Sequence, residues 1–130
     1  MAIESYLDYR SSIYQNSSMS RPKPLPAASL HVVLALLDGE LHGYALMRRV
    51  EELSNGAVRM GPGTLYGTLN RLLDTGLIVE TTDRSPRRDN ERRRYYELTA
   101  DGRLVAADEL TRLHTLVHRT ARHLPGGAPA

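Results

Sequence analysis

The hydrophobic period of this chain changes at Gly76, and that change removes most folds from consideration. Before it, Leu65, Leu69, Leu72 and Leu73 recur at the spacing of one helix face. After it, Leu77-Ile78-Val79-Glu80-Thr81-Thr82 is a run of β-formers and predicts a strand. Residues 83–92 are a polar loop of Arg, Ser, Pro and Asn, and Arg93-Arg94-Tyr95-Tyr96-Glu97-Leu98 predicts a returning strand. Thr99-Ala100-Asp101-Gly102 then starts a last helix, with Thr99 as N-cap and Asp101 favourable in the first turn. That helix extends to about His123, where Leu124-Pro125-Gly126-Gly127 stops it.

Three helices precede the switch. The breaker-rich SRPKPLP segment leads to Pro26, which suits a first helical turn. The helix it opens carries Leu30, Val33, Leu34 and Leu37, and Asp38-Gly39 closes it. A second helix covers about 43–53, with Tyr44, Leu46, Met47, Val50 and Leu53 as its expected buried side, and Ser54-Asn55-Gly56 turns the chain. Gly61-Pro62-Gly63-Thr64 opens the third. Residues 1–18 are polar, with Ile3, Tyr6, Leu7 and Tyr14 near helical spacing. They form either a disordered extension or a docking helix. The expected fold class is mainly α with a small β-hairpin. A winged helix-turn-helix domain (25–99) lies between an N-terminal extension (1–24) and a C-terminal dimerisation helix (100–124), with a flexible tail (125–130).

Helix, helix, helix, strand, basic loop, strand, helix is the order of a winged helix-turn-helix, whose later helix enters the major groove of DNA. On a helical wheel Gly63, Thr64, Gly67, Asn70 and Arg71 oppose the leucine stripe, and Tyr66 and Thr68 flank it. Arg pairs with guanine, Asn with adenine, and a Thr methyl with thymine, while glycine lets backbones approach. The net charge is only +2, yet the span from Asp83 to Arg94 holds Arg84, Arg87, Arg88, Arg92, Arg93 and Arg94 against Asp83, Asp89 and Glu91. Basic charge concentrated at a hairpin tip predicts phosphate contact there. The expected DNA-binding set is therefore Gly63, Thr64, Tyr66, Gly67, Thr68, Asn70, Arg71, Arg84, Arg87, Arg88, Arg92 and Arg93.

Several stretches together are similar to the PadR family. They are Leu41-His42-Gly43-Tyr44-Ala45-Leu46, the run from Gly63 through Leu72, Gly76-Leu77-Ile78, and Arg94-Tyr95-Tyr96-Glu97-Leu98-Thr99-Ala100-Asp101-Gly102. The resemblance covers about residues 30–118. It implies a repressor of the short form, with a single C-terminal helix, that dimerises through that helix and often through an N-terminal one. It places Thr64, Tyr66 and Arg71 on the DNA-facing helix and the 84–94 arginines in the wing. Some members take a flat aromatic effector between Trp side chains at the dimer interface. This chain has no Trp, so an effector there would need another mode.

The last helix supports a homodimer on its own terms. Ala106, Leu110, Leu113, Val117, Thr120 and Leu124 alternate by four and three, a heptad-like seam with Leu116 beside it. His114 and His118 stand four apart, but no carboxylate or Cys completes a ligand set, so solvated histidines near a helix C-terminus are expected and no metal or other cofactor. The chain contains no Cys, which excludes disulfides and thiolate zinc sites. No catalytic motif is present, so no enzyme is expected. The opening residues lack the basic start and apolar core of a signal peptide, and no apolar run reaches the length of a membrane span. The expectation is a cytoplasmic, sequence-specific DNA-binding repressor that binds an inverted repeat. The alternative is a winged-helix module that docks on protein instead of DNA.

Overall fold

The computed structural model describes Ser5 and residues 23–82 and 93–126. Residues 25–104 form one compact unit, and residues from Val105 onward belong to a second. In the first unit the chain runs α1 (Ala27–Ala35), β1 (Leu41–His42), α2 (Gly43–Leu53), α3 (Pro62–Asp74), β2 (Ile78–Thr82), β3 (Arg94–Leu98) and the start of α4 (Ala100–Thr120). This is a mainly α fold with a small antiparallel sheet.

Local chemistry sets the element boundaries. Pro26 precedes α1 in extended geometry, and its carbonyl accepts from Leu30 N–H at 2.9 Å. The expected helix to Leu37 ends earlier, at Ala35, in a turn that leads to Gly39. His42 caps α2, its Nδ1 accepting from Ala45 N–H at 3.3 Å. Pro62 occupies the first turn of α3, where its missing N–H leaves no bond unmade. At the other end Gly76 takes φ +76°. Gly76 N–H then donates to Leu73 and Leu77 N–H to Leu72, which satisfies two orphan carbonyls.

The hairpin pairs Ile78 with Leu98 through to Thr82 with Arg94. A third strand was not expected: Leu41 and His42 pair with Tyr96 and Tyr95, so the sheet order is β1-β3-β2. Val32, Val33, Leu36, Leu46, Val50, Leu65, Leu69 and Ile78 are the sealed aliphatic centre. Each such side chain contributes about 1.5–3 kcal/mol when fully buried. Three expected stripes need correction. In α1 it is Val32, Val33 and Ala35, with Leu36 beyond, that are buried, while Leu30, Leu34 and Leu37 are half-covered. In α2, Tyr44 and Leu53 face outward. In α3, Leu73 is half-covered.

The junction between hairpin and last helix is tight. Thr99 Oγ1 accepts from Gly102 N–H at 3.0 Å, the cap expected from sequence, and donates to the Gly76 carbonyl at 2.7 Å. Thr99 N–H donates to the Leu77 carbonyl at 3.0 Å. A Cβ on Gly102 would collide with that same Leu77 oxygen.

In the second unit α4 continues to Thr120 and ends in a 3₁₀ turn, Ala121–His123. Ala106, Ala107, Glu109, Thr111 and Ala121 are buried there. Gly102→Ala should therefore destabilise the protein by about 1–3 kcal/mol through overpacking against backbone. Urea unfolding would measure it, and an unchanged midpoint would contradict the close approach.

Candidate nucleic-acid interface

The polar side of α3 lies open. Gly63, Thr64, Gly67, Asn70 and Arg71 are all exposed, as their opposition to Leu65, Leu69 and Leu72 requires. Thr68 is the exception among the residues expected to meet DNA: it is fully buried, with its hydroxyl donating to the Thr64 carbonyl at 2.8 Å. A threonine whose hydroxyl finds the carbonyl one turn back satisfies itself inside the helix and packs as an apolar residue. Thr68 therefore leaves the set. It holds instead one end of Arg71, whose Nη2 lies 3.4 Å from its Oγ1.

Among the described residues nothing requires glycine at 63 or 67. A Cβ at either would meet nothing within 4 Å, and neither has a positive φ. Glycine in a helix interior is about 1 kcal/mol less favourable than alanine. Gly67 carries that cost, while Gly63 sits in the first turn beside Pro62, and both leave the outward face without a side chain.

Beside this face runs a groove of about 860 Å³, lined in part by Tyr44, Arg48, Tyr66, Arg93 and Arg94. Tyr66 is half-exposed, and its hydroxyl end sits over Gly43 at the start of α2, where any Cβ would crowd it. Arg93 enters from the root of the wing, with Nη1 3.4 Å from His42 Nε2. The His42 ring also meets the Tyr95 ring edge-on, with centroids 5.7 Å apart.

The groove arginines divide by partner. Arg49 is held by Asp38 at 2.8 Å, and Arg94 by Glu80 at 3.3 Å. Arg48 and Arg93 are exposed, and neither pairs with an acid among the described residues. Burial pushes the Tyr96 phenol above its ordinary range, and the Glu80 carboxylate and the Tyr66 phenol push it the same way, against the pull of Arg94. Tyr96 thus stays neutral in the buried part of β3.

Of the expected contacts, Tyr66 and Arg93 come together in one groove, while Arg84, Arg87, Arg88 and Arg92 lie outside the described residues. Sequence reasoning missed Tyr44 and Arg48. Tyr44 stands among the residues expected on the buried side of α2, and the Arg48-Arg49 pair is offset by Glu51 and Glu52, so it shows no basic excess.

The expected dimer seam is partly spent inside the chain. Ala106 is buried, and Leu110 and Leu113 are half-covered. Leu116, Val117 and Leu124 remain 49%, 53% and 62% exposed, and Thr120 is open.

A family model described as the Transcriptional regulator PadR-like family matches residues 33–108. The Mycobacterium tuberculosis protein Transcriptional regulator Rv3488 is 38% identical over 103 residues, which span 78% of this chain and 85% of that protein. A PadR family regulator from Clostridium difficile superposes with a TM-score of 0.64 at 21% identity, covering 72% of this chain and 94% of the other. Bacillus subtilis PadR, solved in complex with operator DNA, gives 0.59 at 24% identity over 68% of this chain and 49% of that one. At such identities the two structures establish the fold.

Gly67→Ala removes a helix penalty and meets no neighbour. It should raise stability by about 1 kcal/mol. A lowered unfolding midpoint would show that the glycine serves the fold after all.

Proposed function

Because the chain belongs to the PadR-like family of transcriptional regulators, we propose that it is a sequence-specific DNA-binding repressor acting as a homodimer on an inverted-repeat operator. The observation that carries this reading is the outward face of α3: small and hydrogen-bonding side chains, with two glycines that the fold itself does not need. A protein-docking face would carry apolar anchors instead.

The roles divide by chemistry. Arg71, Asn70 and Thr64 read base edges, and Gly63 and Gly67 let the helix backbone come close. Arg48, Arg93 and the Tyr66 hydroxyl take phosphates along the groove, and the wing arginines 84, 87, 88 and 92 extend that contact. Arg94 is committed to Glu80 across the β2–β3 pair and positions the wing strand. Residues 25–99 are the DNA-binding domain, and the helix over 100–124 is the dimerisation element. Two copies would set their α3 helices on half-sites about 10 bp, or a multiple of that, apart. Among the described residues no helix is long and apolar enough to cross a membrane. A repressor works where its operator is, in the cytoplasm. Bacillus subtilis PadR, of the same fold, is a protein solved on its operator.

Gel-shift titration against the promoter next to its own gene, at two salt concentrations, tests the core of this reading. Absent or salt-independent binding would remove it. Arg71→Ala should lose discrimination at one base pair, by about 1–3 kcal/mol, whereas equal weakening on every sequence would assign Arg71 to phosphate. Arg93→Ala should weaken all sequences alike and flatten the log–log salt slope by about 0.9 per protomer, about 1.8 for the dimer.

The dimer is tested separately. Val117→Asp with Leu116→Asp places charge on the exposed end of the seam. Light scattering should then report a monomer with weakened operator binding. A dimer that survives both changes would move the interface elsewhere.

A further inference from the structure

We propose that His114 and His118 form a chelating pair for one divalent late transition-metal ion such as Ni²⁺, Cu²⁺ or Zn²⁺. The site lies on α4 and stands independently of the DNA-binding reading.

The two imidazoles are four residues apart on one helix, so they lie one above the other. Their rings are nearly parallel, with an interplanar angle of 14° and centroids 6.2 Å apart. Both are exposed, so neither is consumed by the core. Rotation about the side-chain torsions brings one nitrogen of each toward a common point, where ions bind imidazole at about 2.0–2.1 Å. Imidazole favours Ni²⁺, Cu²⁺ and Zn²⁺ over the hard cations Mg²⁺ and Ca²⁺.

All five histidines of the chain lie in the described residues, and it has no cysteine. His31 is hydrogen-bonded to the Ala27 carbonyl, and His42 caps α2. His123 follows in the 3₁₀ turn, five residues past His118, a spacing that aligns it with neither ring. This pair is the one place where two imidazoles share a helix face. Among the described residues no third His, Asp or Glu completes a group, so water fills the remaining positions. Arg122, one turn beyond His118, adds positive charge and limits the affinity. Bridging one turn would clip α4 in the stretch that carries Leu116 and Val117, so a bound ion should also stiffen the proposed dimer seam.

The test is calorimetric titration of the untagged full chain with Ni²⁺ and with Zn²⁺. We expect one ion per chain. His114→Ala and His118→Ala should each weaken binding by about tenfold or more, since each removes one of two ligating nitrogens. His123→Ala should leave it unchanged. Alanine is the better helix former, so neither variant threatens the fold, and circular dichroism verifies this. Affinity weaker than about 1 mM in the wild type, retained affinity in either pair variant, or loss in His123→Ala would overturn the assignment.

Discussion

The Leu77 carbonyl is the atom on which the arrangement of this domain depends. It lies where α3 has just ended, accepts from the Thr99 backbone and presses on Gly102. The Thr99 hydroxyl ties the same turn to the Gly76 carbonyl. One short stretch thereby fixes three directions: where α3 stops, where the wing strands begin, and where α4 departs. A β-hairpin alone is marginal in water, so the wing draws its position from this junction and from the two-residue strand on its other side.

On the outward side the priorities of the chain are reversed. The inner face of α3 is sealed by Leu65, Leu69 and Leu72, while the outer face accepts helix-weakening glycines without any packing return. A stability-optimised helix would hold alanine at both positions. Local rules broken at a surface, where no strain or contact demands it, are expected at functional sites. Thr68 shows the contrast within the same helix. Its hydroxyl is spent on Thr64, so it obeys the fold and supports Arg71 from behind.

Much of this was legible in the sequence because the signals are local. The shift from helical to strand spacing at Gly76, the turn at Ser54-Asn55-Gly56 and the Thr99 cap each depend on a few neighbouring residues. Strand β1 was not legible: two residues carry no period, and their partners lie more than fifty positions downstream. Thr68 was misplaced because a wheel sees angle and polarity but not whether a hydroxyl has already found an acceptor. Tyr44 was misplaced for the opposite reason, since an aromatic ring was counted as core although the groove leaves it 64% exposed. The α3 face itself followed from the leucine stripe, since burying one side of a helix exposes the other. The four outer wing arginines lie outside the described residues, and among those described Arg93 and Arg94 carry the hairpin to the groove.

The charge distribution argues for two linked copies in place of one strong binder. The face of α3 between Gly63 and Arg71 offers a single cation, and Arg49 and Arg94 are already held by acids. The helix face alone neutralises few phosphates, so on the proposed reading much of the sequence-independent affinity falls to Arg48, Arg93 and the wing arginines. Joining two such domains makes the second contact intramolecular, which multiplies affinity without adding a contact. The exposed apolar end of α4 offers a means of joining them. On the proposed reading, anything that shifts the equilibrium between one copy and two would shift operator occupancy as well. On that same reading, discrimination rests on the polar side chains of α3.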